Sequence, residues 1–190
     1  ERSSLPCSVL GYGEISTVLQ IEGHSDLAAK RMPLFHSRGE AEVYARTYHL
    51  YCDYLREAGV SVPHDQTIIV KGAGELSTLY ILQDQYPVER FCHKLIHSED
   101  SEYTSIMIAG IQQEIEKVWT FNKQHAPALK LAIDGQLSNW ILLESGAFIF
   151  IDTSTPLMLE QGVEVLDPEL LIQSAPSFMR WIIRWFFLEG

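Results

Sequence analysis

Short alternating runs fill the first third of the chain. "SVLGYGEISTVLQIEG" reads as two strands joined by a glycine turn, and "LAAKRMPLF" as a third strand closed by Pro33. From Ser37 the period lengthens. In "SRGEAEVYARTYHLYCDYLREAG" the residues Val43, Tyr44, Tyr48, Tyr51, Leu55 and Ala58 recur at helical spacing. Ser37 and Glu40 predict a capping box at its start, and Gly59 a stop. "VSVP" then leads to two further strand-like runs, "QTIIVKG" and "STLYILQDQY", separated by "AGEL".

After Pro87 the pattern is mostly helical. "VERFCHKLIH" predicts one helix, and "SEYTSIMIAGIQQEIEKVWTFNKQHAP" a long one stopped near Pro127. Residues 132–156, "AIDGQLSNWILLESGAFIFIDTSTP", read as short strands, a polar turn and a hairpin. The end, "DPELLIQSAPSFMRWIIRWFFLEG", predicts an amphipathic helix whose Trp181, Trp185, Phe186 and Phe187 have core spacing. The expected fold class is therefore α+β. A β-rich half with one helix spans 1–82, a hinge 83–87, and a mostly helical half 88–190.

Composition narrows the function. The 190 residues, 46% hydrophobic and 21% charged, suit one globular domain or two small lobes. A formal net charge of −11 argues against a nucleic-acid partner, which needs a basic face. Cys7, Cys52 and Cys92 share no close spacing and read as reduced thiols, which predicts a cytoplasmic protein. No apolar run approaches the ~20 residues of a membrane span. The seven histidines are scattered and predict no metal site of their own. Cys92 and His93, adjacent on a helix, point apart and do not form a nucleophile–base pair. The chain begins without methionine and stops just after an apolar helix, so a piece of a longer protein is expected.

Several polar residues interrupt apolar runs where packing needs none. Gly11 and Gly13 in "GYGEISTV" allow backbone amides to approach a ligand closely. With no helix following, a dinucleotide fingerprint or Walker loop is disfavoured. A glycine turn between two strands is instead the arrangement of the kinase phosphate-covering loop, with Ser16 at its third glycine and Val18 following. Lys30 lies inside an apolar strand, where it needs a partner; Glu40 and Glu42 on the next helix are the candidates, and Glu42 is preferred. Asp134 and Asn139 have the spacing of the kinase catalytic loop, in which aspartate takes the acceptor's proton and asparagine binds magnesium. Asp152 follows the strand-like "AFIFI", as a metal-binding aspartate would.

In this order, glycine loop, Lys30, helix, "GVSVP" at 59–63, and the 134–152 stretch, the chain resembles the protein-kinase-like superfamily, closest to its aminoglycoside phosphotransferase and choline kinase branch. The resemblance covers most of the chain. It implies a two-lobed fold, with an antiparallel sheet and one helix in the first lobe and a small, mostly helical second lobe. It also implies ATP and Mg2+ as cofactors. Gly11, Gly13, Ser16, Val18 and Lys30 would hold the nucleotide, and Gln83, Asp84 and Gln85 would offer backbone groups to adenine. Asp134 would act as base, with Lys30 and Glu42 in support, and Asn139 and Asp152 would hold the metal.

The chain departs from the pattern at Ala132, where a histidine is expected, and at Thr153 and Ser154, which stand in place of Phe-Gly. "SAPS" at 174–177 lacks the glutamate of the corresponding kinase motif. The expected activity is transfer of the γ-phosphate of ATP to a hydroxyl of an unidentified small acceptor. The alternative is a catalytically inactive kinase-like module that binds nucleotide or a partner.

Overall fold

A computed structural model of the chain describes residues 6–13, 15–98 and 100–166. The expected C-terminal helix, with Trp181 and "SAPS", lies outside the described residues. The chain is mixed α+β and divides into two units. The described part of the first lies in Glu1–Arg46 and Asp65–Gln83, together with Leu166. The second comprises Thr47–His64 and Asp84–Val165.

The first unit is built on a five-stranded antiparallel sheet: β1 (Cys7–Tyr12), β2 (Thr17–Ile21), β3 (Leu27–Phe35), β4 (Asp65–Lys71) and β5 (Ser77–Asp84), in the order β1-β2-β3-β5-β4. Burial follows position in the sheet. Interior strand β5 keeps Leu79 and Ile81 fully buried, whereas edge strand β4 alternates half-buried and exposed residues. β4 and β5 pair without a break from Asp65↔Gln83 to Lys71↔Ser77. On the other edge, Leu10 is the extra residue of a bulge between Val9 and Gly11. Pro33 does not close β3, contrary to expectation. Pairing with β2 ends at Arg31, so the proline's missing N–H lies beyond that ladder and the strand continues to Phe35.

Helix α1 (Arg38–Glu57) follows β3 and runs through the boundary between the units. Its start is chemically specified. Ser37 Oγ accepts the Glu40 N–H at 3.1 Å, and the Glu40 carboxylate accepts the His36 N–H at 2.9 Å. At its end Gly59 has φ +87°, and Val60 and Gly59 donate to the Leu55 and Arg56 carbonyls, a Schellman stop. Ala41, Tyr44, Ala45, Tyr48, Tyr51, Cys52 and Leu55 form its buried face. Val43, expected on that stripe, is 55% exposed because the stripe passes through Tyr44 and Ala45 instead.

The second unit contains α2 (Cys92–Ser98), α3 (Ser101–His125) and two small sheets. One has the order β10-β9-β6, from β6 (Leu129–Leu131), β9 (Met158–Glu160) and β10 (Val163–Glu164). The other is the hairpin of β7 (Trp140–Leu142) and β8 (Phe148–Phe150). Asp100 caps α3 by accepting the Tyr103 N–H at 2.8 Å. Tyr51, Leu55, Met107, Ile111, Phe121, Trp140 and Phe150 belong to one continuous core. Among the described residues no helix is long and apolar enough to cross a membrane.

Close approach of α3 to the β7–β8 hairpin requires Gly110. A Cβ there would lie 2.7 Å from Phe148 Cζ, closer than real side chains pack. Gly110→Ala is therefore expected to destabilise. Overpacking costs about 1–3 kcal/mol, against a helix-propensity gain of about 1 kcal/mol. Thermal unfolding should show a lower Tm for Gly110→Ala and recovery when Phe148→Leu is added. A Tm equal to the parent's would mean that the ring moves aside freely.

Candidate functional site

Within the second unit, residues far apart in sequence converge on the loop after β6. Leu131 is held at both backbone groups by one side chain: Asn122 of α3 accepts its N–H at 2.7 Å and donates to its carbonyl at 2.8 Å. The next residue is held as tightly. Ala132 N–H donates to the Leu157 carbonyl at 2.8 Å, and the Ala132 carbonyl accepts the Tyr51 hydroxyl at 2.7 Å. The chain thus leaves the sheet in a determined direction and reaches Asp134 two residues later. There the carboxylate makes a local turn, accepting the Gln136 N–H at 3.0 Å.

The hairpin supplies the other half of the site. Trp140 pairs with Phe150, so Asn139 lies across from Ile151, whose N–H donates to the Asn139 carbonyl at 2.9 Å. Asp152 is the next residue. Antiparallel pairing therefore brings the backbone of Asn139 to the strand that leads into Asp152. The hairpin is seated by Trp140, fully buried with its ring centroid 5.2 Å from that of Phe150. On the far side, Phe150 N–H donates to the Ser61 carbonyl at 2.9 Å, which ties "GVSVP" to the strand leading into Asp152.

Each carboxylate is bonded by a nearby side chain. Asn139 Nδ2 donates to Asp134 Oδ2 at 2.9 Å, and Ser154 Oγ donates to Asp152 Oδ1 at 3.2 Å. Asp134, Asn139 and Asp152 are all half-buried. The fully buried Tyr51 phenol senses both carboxylates. Burial raises its pKa most, and Cys52, Asp152 and Asp134 add to the rise, so the hydroxyl stays protonated and donates.

Asn139 and the two carboxylates offer oxygen donors. Because the Asn139 amide nitrogen faces Asp134, its Oδ1 points elsewhere, with only a 3.4 Å contact from Ser138 Oγ. An amide oxygen and carboxylates are hard ligands. Among the described residues no group of three or more His, Cys, Asp or Glu could hold a metal by itself. Magnesium, which keeps waters and takes phosphate oxygens, needs no such cage.

The other predicted residues lie mostly in the first unit. Across β1, β2 and β3, Gly11 pairs with Val18 and Val18 with Lys30, so the side chains of Val18 and Lys30 share one face of the sheet. Lys30 is buried to 8% exposure. Gly13 N–H donates to the Ser16 carbonyl at 2.8 Å, closing the glycine turn, and Ser16 is buried. Glu42 binds Arg38, 2.8 Å from its Nε, and Glu40 is occupied in the helix cap. Gln83 is buried at the end of β5. Asp84 exchanges two bonds with His64, its N–H donating to the carbonyl and its carboxylate accepting the N–H, each at 3.2 Å. Gln85 is half-buried just beyond.

Residues 1–187 match a family described as a family of unknown function (DUF6206). The chain belongs to that family. No curated protein matches it. The residues of this family member that sequence periodicity concealed are Tyr48, Tyr51 and Asn122. Each is a hydrogen-bonding side chain on an otherwise apolar helix face, and that was the available signal.

Cys92 stands apart from the site. Burial pushes its thiol from 9.0 up to about 11, so it is inert at neutral pH. The sign of the pH effect follows. The unfolded thiol ionises near 9 while the folded one remains protonated, so folding stability is full below pH 9 and falls toward pH 11. Urea unfolding across that range should show the fall, with Cys92→Val removing about 1–2 kcal/mol of it. An unchanged slope in the variant would exclude Cys92 as the cause.

Proposed function

We propose that this protein is an ATP- and magnesium-dependent phosphotransferase of protein-kinase-like type, acting on the hydroxyl of a small acceptor. The observation that supports the reading is the hydrogen bond from Asn139 to Asp134, with Asn139 held across from Ile151, the residue before Asp152. A five-stranded antiparallel sheet with one helix between its third and fourth strands, and the Gly11–Val18–Lys30 row, also support it.

In this reading Lys30 and the glycine turn take phosphate oxygens, and backbone groups of Gln83–Gln85 meet the adenine. Asp152 and the Asn139 amide oxygen would hold magnesium, which would supply charge neutralisation to the transferring group. Asp134 orients the acceptor hydroxyl. As that oxygen attacks the γ-phosphorus, the bond to the β–γ bridging oxygen breaks and ADP leaves with the electron pair. The hydroxyl proton passes to Asp134. Glu42, 2.8 Å from Arg38 Nε, would be the carboxylate of α1 that supports Lys30.

A second reading, an inactive nucleotide-binding module, is favoured by one observation. The polar groups already satisfy one another, Asn139 on Asp134 and Ser154 on Asp152. Thermal shift with ATP, with and without MgCl2, followed by ATP consumption with water and a panel of alcohols, separates the two. Phosphotransferase activity predicts a magnesium-dependent shift and turnover; the second reading predicts the shift alone. No nucleotide effect would end both.

The variants discriminate further. Asp152→Asn should abolish the magnesium-dependent part of the shift. Asp134→Ala should keep most of the shift but lower turnover by roughly 10²–10⁴, the scale of a positioned general base. Lys30→Ala should weaken nucleotide binding and turnover together. Full turnover in Asp134→Ala would remove that residue from the mechanism.

A further inference from the structure

Two tyrosines one turn apart on α1 each touch a loop that carries a site aspartate. Tyr51 donates to the Ala132 carbonyl at 2.7 Å, two residues before Asp134. Tyr48 Oη accepts from Thr153 Oγ1 at 3.5 Å, one residue after Asp152. Both rings are fully buried, and their spacing puts them on one face of the helix. A helix is stiff over a single turn, so the two contacts relate the two loops by a fixed spacing. Ala132 itself carries no side chain able to brace its loop, and Tyr51 does this from another element.

We infer that Tyr51, with Tyr48 beside it, is a positioning residue: α1 grips the Asp134 loop at Ala132 and the Asp152 loop at Thr153, and so sets the relation of the two carboxylates. The anchoring stands on the contacts alone. Its consequence for turnover rests on the phosphotransferase reading. Neither tyrosine touches a reacting atom. Both act through the backbone or side chain of the loop they hold.

Tyr51→Phe keeps the ring and removes only the hydroxyl. Amide hydrogen exchange on the full chain should quicken at residues 133–139 by about tenfold, the size of one lost hydrogen bond. Exchange in α3 should stay within about twofold, because the core packing is retained. The same variant should lower kcat for ATP consumption by roughly tenfold while leaving the KM for ATP within about twofold, since ground-state nucleotide contacts are untouched. It should also raise the MgCl2 concentration needed for the half-maximal ATP thermal shift.

Tyr48→Phe should quicken exchange at residues 153–155 and leave 133–139 unchanged; if Tyr51→Phe fails to fold, unchanged exchange at 153–155 in Tyr48→Phe overturns the two-loop grip of α1. Unchanged exchange at 133–139 in folded Tyr51→Phe overturns the anchoring. Faster exchange with unaltered kcat and magnesium response overturns the positioning role. A parent chain with neither nucleotide shift nor turnover ends the phosphotransferase reading, and the exchange result still decides the anchoring.

Discussion

The backbone hydrogen bonds of Ala132 are the constraint on which the candidate site depends. Ala132 is exposed and could give its N–H and carbonyl to water, yet both bond to protein. At Ala132 the residue before β9, Leu157, supplies one partner, and α1 supplies the other, through Tyr51. Asn122 has already closed both groups of Leu131. With two consecutive residues held at every backbone group, the path to Asp134 has little freedom, and a carboxylate at its end is held in place before any ligand arrives.

The second constraint is strand register. Because Trp140 sits opposite Phe150, Asn139 is set across from Ile151, the residue before Asp152. A one-residue slip would turn Trp140 out of the core, so burial of that indole protects this alignment. Packing here does not merely stabilise the second unit. It sets which residues face one another, and the core and the candidate site share one set of hairpin contacts.

Helix α1 serves both purposes at once. Its ends are specified by local chemistry, Ser37 with Glu40 at the start and Gly59 at the stop, while its tyrosines serve the interior. Leu55 and Tyr51 are equally buried, yet only Tyr51 carries a polar tip to direct at a loop. A leucine at position 51 would satisfy the hydrophobic pattern and leave the Ala132 carbonyl without its partner. The distinction between filling space and arranging chemistry therefore falls on single oxygen atoms.

The glycine hairpin, the capped helix and the Asp134, Asn139 and Asp152 stretch were all legible in the sequence, for a physical reason. Turns, caps and hairpins depend on residues a few positions apart, and glycine, serine, asparagine and aspartate act there through their own backbone neighbourhood. The roles of Tyr48, Tyr51 and Asn122 were not legible, because an apolar period counts a tyrosine as core and says nothing about where its hydroxyl points. Nor was the continuation of β3 through Pro33, which depends on where the neighbouring ladder ends. Local order determined which polar groups stand in turns and caps. Only long-range pairing and burial, which join residues as distant as Tyr51 and Ala132, decided which of them stand together.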